Sequence, residues 1–176
     1  MTPAATNEYE TLIRDVPDFP KPGILFKDIM PMLADGPAFR TVVDELAAAV
    51  GGWKPDLVLG AEARGFMFGA PLAYALGAGF VAARKPGKLP YTTVSAKYAL
   101  EYGFDALEVH IDAIKPGQRV LICDDLLATG GTCKAKIELV ERLGGTVAGL
   151  AFAIELDFLK GRDKLEGHQI VSLIHY

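Results

Sequence analysis

The segment Val120-Leu121-Ile122-Cys123-Asp124-Asp125-Leu126-Leu127-Ala128-Thr129-Gly130-Gly131-Thr132 does most to limit the folds open to this 176-residue chain. Apolar residues suited to a strand covered on both faces run into two carboxylates, then a small-residue turn, then helical spacing. A strand leading through a tight turn into a helix is the unit of an α/β sheet, and ligands settle in the crevice at the carboxyl ends of such strands. Neighbouring strand side chains point to opposite faces, so Asp124 and Asp125 can serve one ligand only where the chain is leaving the sheet. This reading ends the strand at Cys123 and opens a helix at about Gly130.

The turn suits a phosphate. Gly130 and Gly131 allow close backbone approach, Thr129 and Thr132 add hydroxyl donors, and the helix start offers free N–H groups with a positive dipole end. The two acids would repel that phosphate. A ligand with a phosphate at one end and hydroxyls at the other removes the conflict, because carboxylates accept hydrogen bonds from hydroxyls. Phosphoribose has that form. The plainer alternative is a tight connection with solvated acids, since Gly-Gly turns are common.

The rest of the chain continues the alternation of strand and helix. Pro37 opens a helix whose apolar positions Val42, Val43, Leu46 and Val50 recur at helical spacing, ending at Gly51-Gly52. A strand follows over 57–60, a helix over 65–76, a strand over 80–84, the strand over 119–123, the helix over 130–143, a strand over 146–154 and a last short one over 170–174. Residues 91–111 read as a polar excursion with some strand character. The expected class is α/β, a mostly parallel twisted sheet flanked by helices.

Composition narrows the function. Half the residues are hydrophobic, no linker or repeat divides the chain, and one domain over 1–176 is expected. A net charge of -4 gives no field for nonspecific nucleic-acid binding. Cys123 and Cys133 lack metal or disulfide spacing and read as small buried residues; His110, His168 and His175 show no ligand spacing either. No metal site is expected from these residues. Pro3, Glu8 and Glu10 stand where a signal peptide needs a basic start, so the cytoplasm is the expected location. The uncharged run 65–83 is long enough for a membrane helix, yet its glycines, alanines and Pro71 make it weakly apolar, and Gly77 and Gly79 divide it. Gly77-Ala78-Gly79-Phe80-Val81-Ala82 matches a dinucleotide fingerprint only formally, because it leads from helix into strand.

Gly60-Ala61-Glu62-Ala63-Arg64-Gly65-Phe66 repeats the strand, turn and helix logic with a fixed cation. Arg64 suits polyphosphate oxygens; a local pairing with Glu62 is the alternative. Arg84-Lys85-Pro86-Gly87-Lys88 clusters three cations in what would ordinarily be a solvated loop. Pro17-Asp18-Phe19-Pro20-Lys21-Pro22-Gly23-Ile24-Leu25-Phe26-Lys27-Asp28 carries prolines that argue against a regular element and aromatics that can pack or stack.

Together these blocks, from about Ile13 to Val171, resemble the type I phosphoribosyltransferases, and Leu126 to Thr132 has the form seen in members that use adenine. The resemblance implies transfer of phosphoribose from 5-phosphoribosyl 1-pyrophosphate, carrying Mg²⁺, to adenine, with AMP and pyrophosphate as products. It implies a homodimer; the charge and the weakly apolar run already argue against nucleic-acid and membrane partners. Asp124 and Asp125 would hold the sugar hydroxyls and Ala128, Thr129, Gly130, Gly131 and Thr132 the phosphate. Glu62, Ala63, Arg64 and Gly65, with Arg84, Lys85 and Lys88, would take the pyrophosphate. A hood over about 1–35 would read adenine through Leu25, Phe26 and Lys27, where lysine replaces an arginine found in some members. A lid over about 86–103 would bring Glu101 and Tyr102 to the reacting centre and keep water out. A 6-oxopurine substrate is the second reading, and a regulator that senses the donor without catalysis is the third; the latter would need a nucleic-acid-binding module.

Overall fold

The computed structural model describes residues 8–100 and 103–176. The chain divides into two compact units, Met1–Asp44 and Glu45–Tyr176. In the first, β1 (Arg14–Pro17) and β2 (Leu25–Asp28) pair antiparallel from Arg14↔Asp28 to Pro17↔Leu25. The prolines therefore interrupt less of the block than expected. Pro17 ends β1, where a missing N–H is tolerated, while Pro20 and Pro22 lie in the loop. Asp18, at a left-handed φ of 56°, accepts the Gly23 N–H at 2.7 Å and closes that loop. Leu25, Phe26 and Lys27 consequently stand on a strand, and Phe26 meets Phe19 edge to face at 5.0 Å.

Helix α1 (Met30–Ala34) follows, then α2 (Gly36–Val50). Asp35 Oδ1 accepts the Ala38 N–H at 2.9 Å, a local cap that starts α2 one residue before Pro37. Val42, Val43, Leu46 and Val50 are all buried, as their spacing requires.

The second unit is built on a parallel sheet of order β4-β3-β7-β8-β9. Its members are β3 (Leu57–Ala61), β4 (Gly79–Ala83), β7 (Arg119–Leu127), β8 (Thr146–Glu155) and β9 (Ile170–His175). Val58, Leu59, Val120, Leu121, Ile122, Leu150 and Phe152 are wholly buried, which explains the unbroken apolar runs of the central strands. Helix α3 (Arg64–Leu76) carries the chain from β3 to β4, and α4 (Gly131–Arg142) from β7 to β8. Gly77, at a φ of 65°, ends α3 and splits the uncharged run into a helix and a strand; no described helix is long and apolar enough to cross a membrane.

Residues 91–111 are more regular than their sequence implied. β5 (Thr93–Leu100) and β6 (Gly103–His110) form an antiparallel hairpin, and an Arg84↔Glu108 bridge ties β6 to the residue just after β4. Among its described side chains Ala96, Leu107 and Val109 are buried, in one core cluster with Ile137 and Val140 of α4. The alternation is there, but alanine and tyrosine dilute its apolar half.

Candidate active site

Strands β3 and β7 are neighbours, yet their helices lead to opposite sides of the sheet order, β3 outward to β4 and β7 outward to β8. At such a reversal two strand ends part and leave a crevice. A cleft of about 490 Å³ opens there.

The acid pair reaches it by a route the sequence did not indicate. β7 continues to Leu127, so Asp124 and Asp125 lie within the strand and not beyond it. Its pairing with β3 stops at Gly60↔Cys123, while its pairing with β8 runs on to Leu127↔Glu155. The chain leaves one neighbour and keeps the other, which frees the edge beside β3 without ending the strand. Both acids line the cleft and part in direction. Asp124 accepts a short hydrogen bond from the Lys136 ammonium in α4. Asp125 Oδ2 lies 2.9 Å from Arg64 Nε at the head of α3. That guanidinium N–H is poorly aligned, so the contact is an ion pair that leaves Asp125 Oδ2 without a hydrogen-bond donor in a buried position.

Electrostatics separate the two acids further. Burial first, and the adjacent Asp124 charge second, push the Asp125 carboxyl up to about 7, while Arg64 pulls the other way. For Lys136, burial works against the ammonium, but the Asp124 carboxylate outweighs it and the net displacement is upward. Asp124 and Lys136 form an internal pair, and Asp125 is the acid whose burial favours its neutral form.

Beyond β7, Ala128, Thr129, Gly130, Gly131 and Thr132 all line the cleft. Gly130 has a φ of 77°, and a Cβ there would stand 2.7 Å from the Gly161 carbonyl oxygen, so no other residue fits. It precedes α4 without a side-chain cap, which leaves the first N–H groups of that helix uncapped where Gly131, Thr132 and Cys133 line the cleft.

The loop after β3 places Glu62, Ala63 and Arg64 on the wall, joined by Lys85. Glu62 does not pair with Arg64. It accepts two bonds from Arg84, at 2.8 and 3.0 Å, and the Lys85 N–H at 2.6 Å; that amide, ahead of the neighbouring cations, holds its carboxyl below the usual range. Arg84 is thereby turned to Glu62 and to the Lys88 carbonyl, and neither Arg84 nor Lys88 forms the wall. Gly65 lies behind it: a Cβ there would come within 2.7 Å of Asp124 Oδ1. Leu25, Phe26 and Lys27 belong to the first unit, and Glu101 and Tyr102 fall outside the described residues.

Tyr98, Leu107 and Lys136 were not foreseen. Tyr98 and Leu107 come from the hairpin and line the cleft. Lys136 did carry a signal: with Cys133, Ile137 and Val140 it falls on the apolar stripe of α4, an odd position for a solvated lysine. Among the described residues, Glu155, Asp157 and His175 bring ligand-type atoms within 4.8 Å of one another. The Glu155 carboxylate is already taken by Arg162 at 2.6 and 2.8 Å and by the Ser172 hydroxyl at 2.6 Å.

A cleft between two strand ends, with an uncapped helix start on one wall and an arginine on the other, has the charge to receive an anionic ligand. The phosphoribosyl transferase domain matches residues 31–170. The adenine phosphoribosyltransferase of Desulfitobacterium hafniense (strain Y51) is 59% identical over 169 residues, covering 96% of this chain and 98% of its own. Among solved structures, the adenine phosphoribosyltransferase of Thermoanaerobacter pseudethanolicus is 58% identical with a TM-score of 0.94, over 96% of this chain and 98% of that one. That of Saccharomyces cerevisiae, complexed with an imino-altritol bisphosphate and adenine, is 43% identical with a TM-score of 0.88, over 94% and 96%. The chain belongs to the phosphoribosyl transferase family, and within it to the adenine phosphoribosyltransferases.

Proposed function

We propose that the cleft transfers the 5-phosphoribosyl group of 5-phosphoribosyl 1-pyrophosphate to adenine, giving AMP and pyrophosphate. The anomeric carbon exchanges its bond to a pyrophosphate oxygen for one to a ring nitrogen of adenine, whose proton leaves. The observation that carries this reading is the parting of β3 and β7, which sets an anion-binding helix start and an arginine around two acids in one crevice. The yeast relative's adenine complex supports adenine as the base.

The two walls then divide the donor between them. The N–H groups at the start of α4, with Thr129 and Thr132, take the 5'-phosphate. Asp124 and Asp125 accept the ribose hydroxyls, and the orphaned Asp125 Oδ2 is suited to that donor. Arg64 and Lys85, with the loop 62–65, take the pyrophosphate. Bond breaking separates a cationic ring from an anionic leaving group, and fixed charges of both signs on facing walls favour that separation. Mg²⁺ belongs to the substrate here, arriving on the pyrophosphate. The acid pair fits that delivery because each carboxylate already has a cation of the protein, Lys136 or Arg64. Leu25, Phe26 and Lys27 read the base, and Glu101 and Tyr102 close over the reaction on a lid.

A homodimer in the cytoplasm completes the proposal; Cys123 and Cys133, both buried and unpaired, suit a reducing compartment. Incubation with the Mg²⁺ donor and a panel of adenine, hypoxanthine, guanine and xanthine tests the function. AMP and pyrophosphate from adenine alone support it. Turnover of a 6-oxopurine in preference to adenine overturns the base assignment, and no pyrophosphate release with any base overturns catalysis.

A further inference from the structure

Lys136 has no exposed surface, although it lies on a helix whose other lysine, Lys134, is exposed. An ammonium is kept inside a protein only beside a compensating acceptor, and here that acceptor is Asp124 Oδ2. Asp124 is a wall residue of the cleft, and its other oxygen is fixed as well. Asp124 Oδ1 accepts the Asp125 N–H at 3.0 Å and sits where a side chain at position 65 would otherwise lie, 2.7 Å from an ideal Cβ. The carboxylate is therefore set from two elements and one backbone amide, and its strongest tether begins outside the cleft, in the apolar interior of α4. Lys136 is not part of the cleft wall. Nothing about the burial of α4 calls for a charge there; a leucine or methionine would serve that face as well.

We propose that Lys136 is a positioning residue for the transfer reaction, fixing from behind the orientation of the Asp124 carboxylate toward the donor's ribose hydroxyls. The proposal rests on the reading of the cleft as the donor site. It gives the two acids different roles. Asp124 is a rigid acceptor anchored on Lys136, whereas Asp125, beside the partly exposed Arg64, adjusts as the ligand enters. The charged and titratable groups around this pair are Cys123, Asp124 and Asp125 from β7, Cys133 from α4, Tyr98 from β5 and Arg64 from α3. Arg64 and, more weakly, Lys136 itself are the cations that lower Asp125. Loss of Lys136 therefore moves the titration of Asp125 upward.

The test compares wild-type enzyme with Lys136→Met, Asp124→Asn and the double variant, by donor KM, adenine KM, kcat and the pH profile of kcat/KM. Lys136→Met is expected to raise the donor KM about tenfold, leave the adenine KM within about twofold, and move the acidic limb of the profile to higher pH. The double variant is expected to be no worse than Asp124→Asn alone, because Lys136 acts through Asp124. Unchanged donor KM and pH limb with only a lower Tm overturns the proposal, as does an additive double variant. If Lys136→Met does not fold, the Lys136 Nζ resonance of the wild-type enzyme decides: a shift on saturation with ribose 5-phosphate supports positioning, and an unmoved resonance overturns it. An inactive wild-type enzyme would instead remove the function itself, which keeps the two failures apart.

Discussion

The two loops that make the cleft share a plan and differ in how they offer positive charge. After β3 the chain turns quickly into α3 and presents a side chain, Arg64, which remains 39% exposed. After β7 the chain offers backbone: Gly130 is left-handed, α4 has no side-chain cap, and the buried lysine of that helix is spent internally on Asp124. A guanidinium on a flexible stem can follow a group that departs, whereas helix amides are fixed by the fold and suit a group that stays. That contrast fits the proposed division of the donor, in which pyrophosphate leaves from the arginine wall and the 5'-phosphate stays on the helix wall. The largest effects are expected where the rigid wall is disturbed.

Asp125→Asn is the severest single change. Turnover should fall by about a hundredfold or more, since the variant keeps the shape but loses the carboxylate proposed to accept the ribose hydroxyls. Stability should move the other way. A carboxyl whose folded-state value is raised binds its proton more tightly folded than unfolded; its contribution is fully present below the ordinary 3.8 and is lost as pH rises toward about 7. The asparagine escapes that loss, so melting of the ligand-free variant at about pH 8 should match or exceed wild type. A lower Tm together with normal turnover would reverse the assignment.

Gly130→Ala comes next. The positive φ and the Gly161 carbonyl 2.7 Å from the new Cβ force the turn to move, at a cost of about 1–3 kcal/mol. AMP and the donor should weaken together, because both carry the 5'-phosphate; calorimetry with each ligand checks this. Arg64→Ala should behave differently. Pyrophosphate and donor affinities should fall about tenfold with AMP affinity nearly retained. Equal losses for AMP and pyrophosphate would erase the division between the walls.

The sheet and its helices were legible because their signals are local: apolar strands, helical spacing and glycine stops recur within a few residues of each boundary. The phosphate turn was legible for the same reason. The position of the acid pair inside β7 was not, because it depends on β3 ending before β8 does, and register between strands leaves no mark on one strand's sequence. The hairpin's regularity was hidden by its alanines, and the Tyr98 and Leu107 wall with it. Lys136 was readable from the apolar stripe, but its partner was not, since only the crossover places α4 against Asp124. Arg84 had the right charge and neighbourhood, and the structure assigns its guanidinium to Glu62.

That last pairing gives the smallest expected effect and sharpens the contrast between the loops. Glu62 lies on the cleft wall, yet its acceptors are occupied by Arg84 and by the Lys85 N–H, so its carboxylate organises the arginine side of the cleft. A carboxyl held below its ordinary 4.5 contributes stability that is present above that value and lost as pH falls through the folded-state value. Because the group is partly exposed and its Arg84 partner more so, solvent screens the contribution and it stays small. Glu62→Gln should therefore flatten the acid limb of the melting curve slightly, and should change pyrophosphate affinity by no more than about threefold as Lys85 loses the carboxylate that fixes its backbone. Titration of pyrophosphate at two pH values, on either side of the usual glutamate range, separates the outcomes. A loss as large as that of Arg64→Ala would make the loop after β3 as rigidly organised as the one after β7, and the difference between holding and releasing would have to come from the lid.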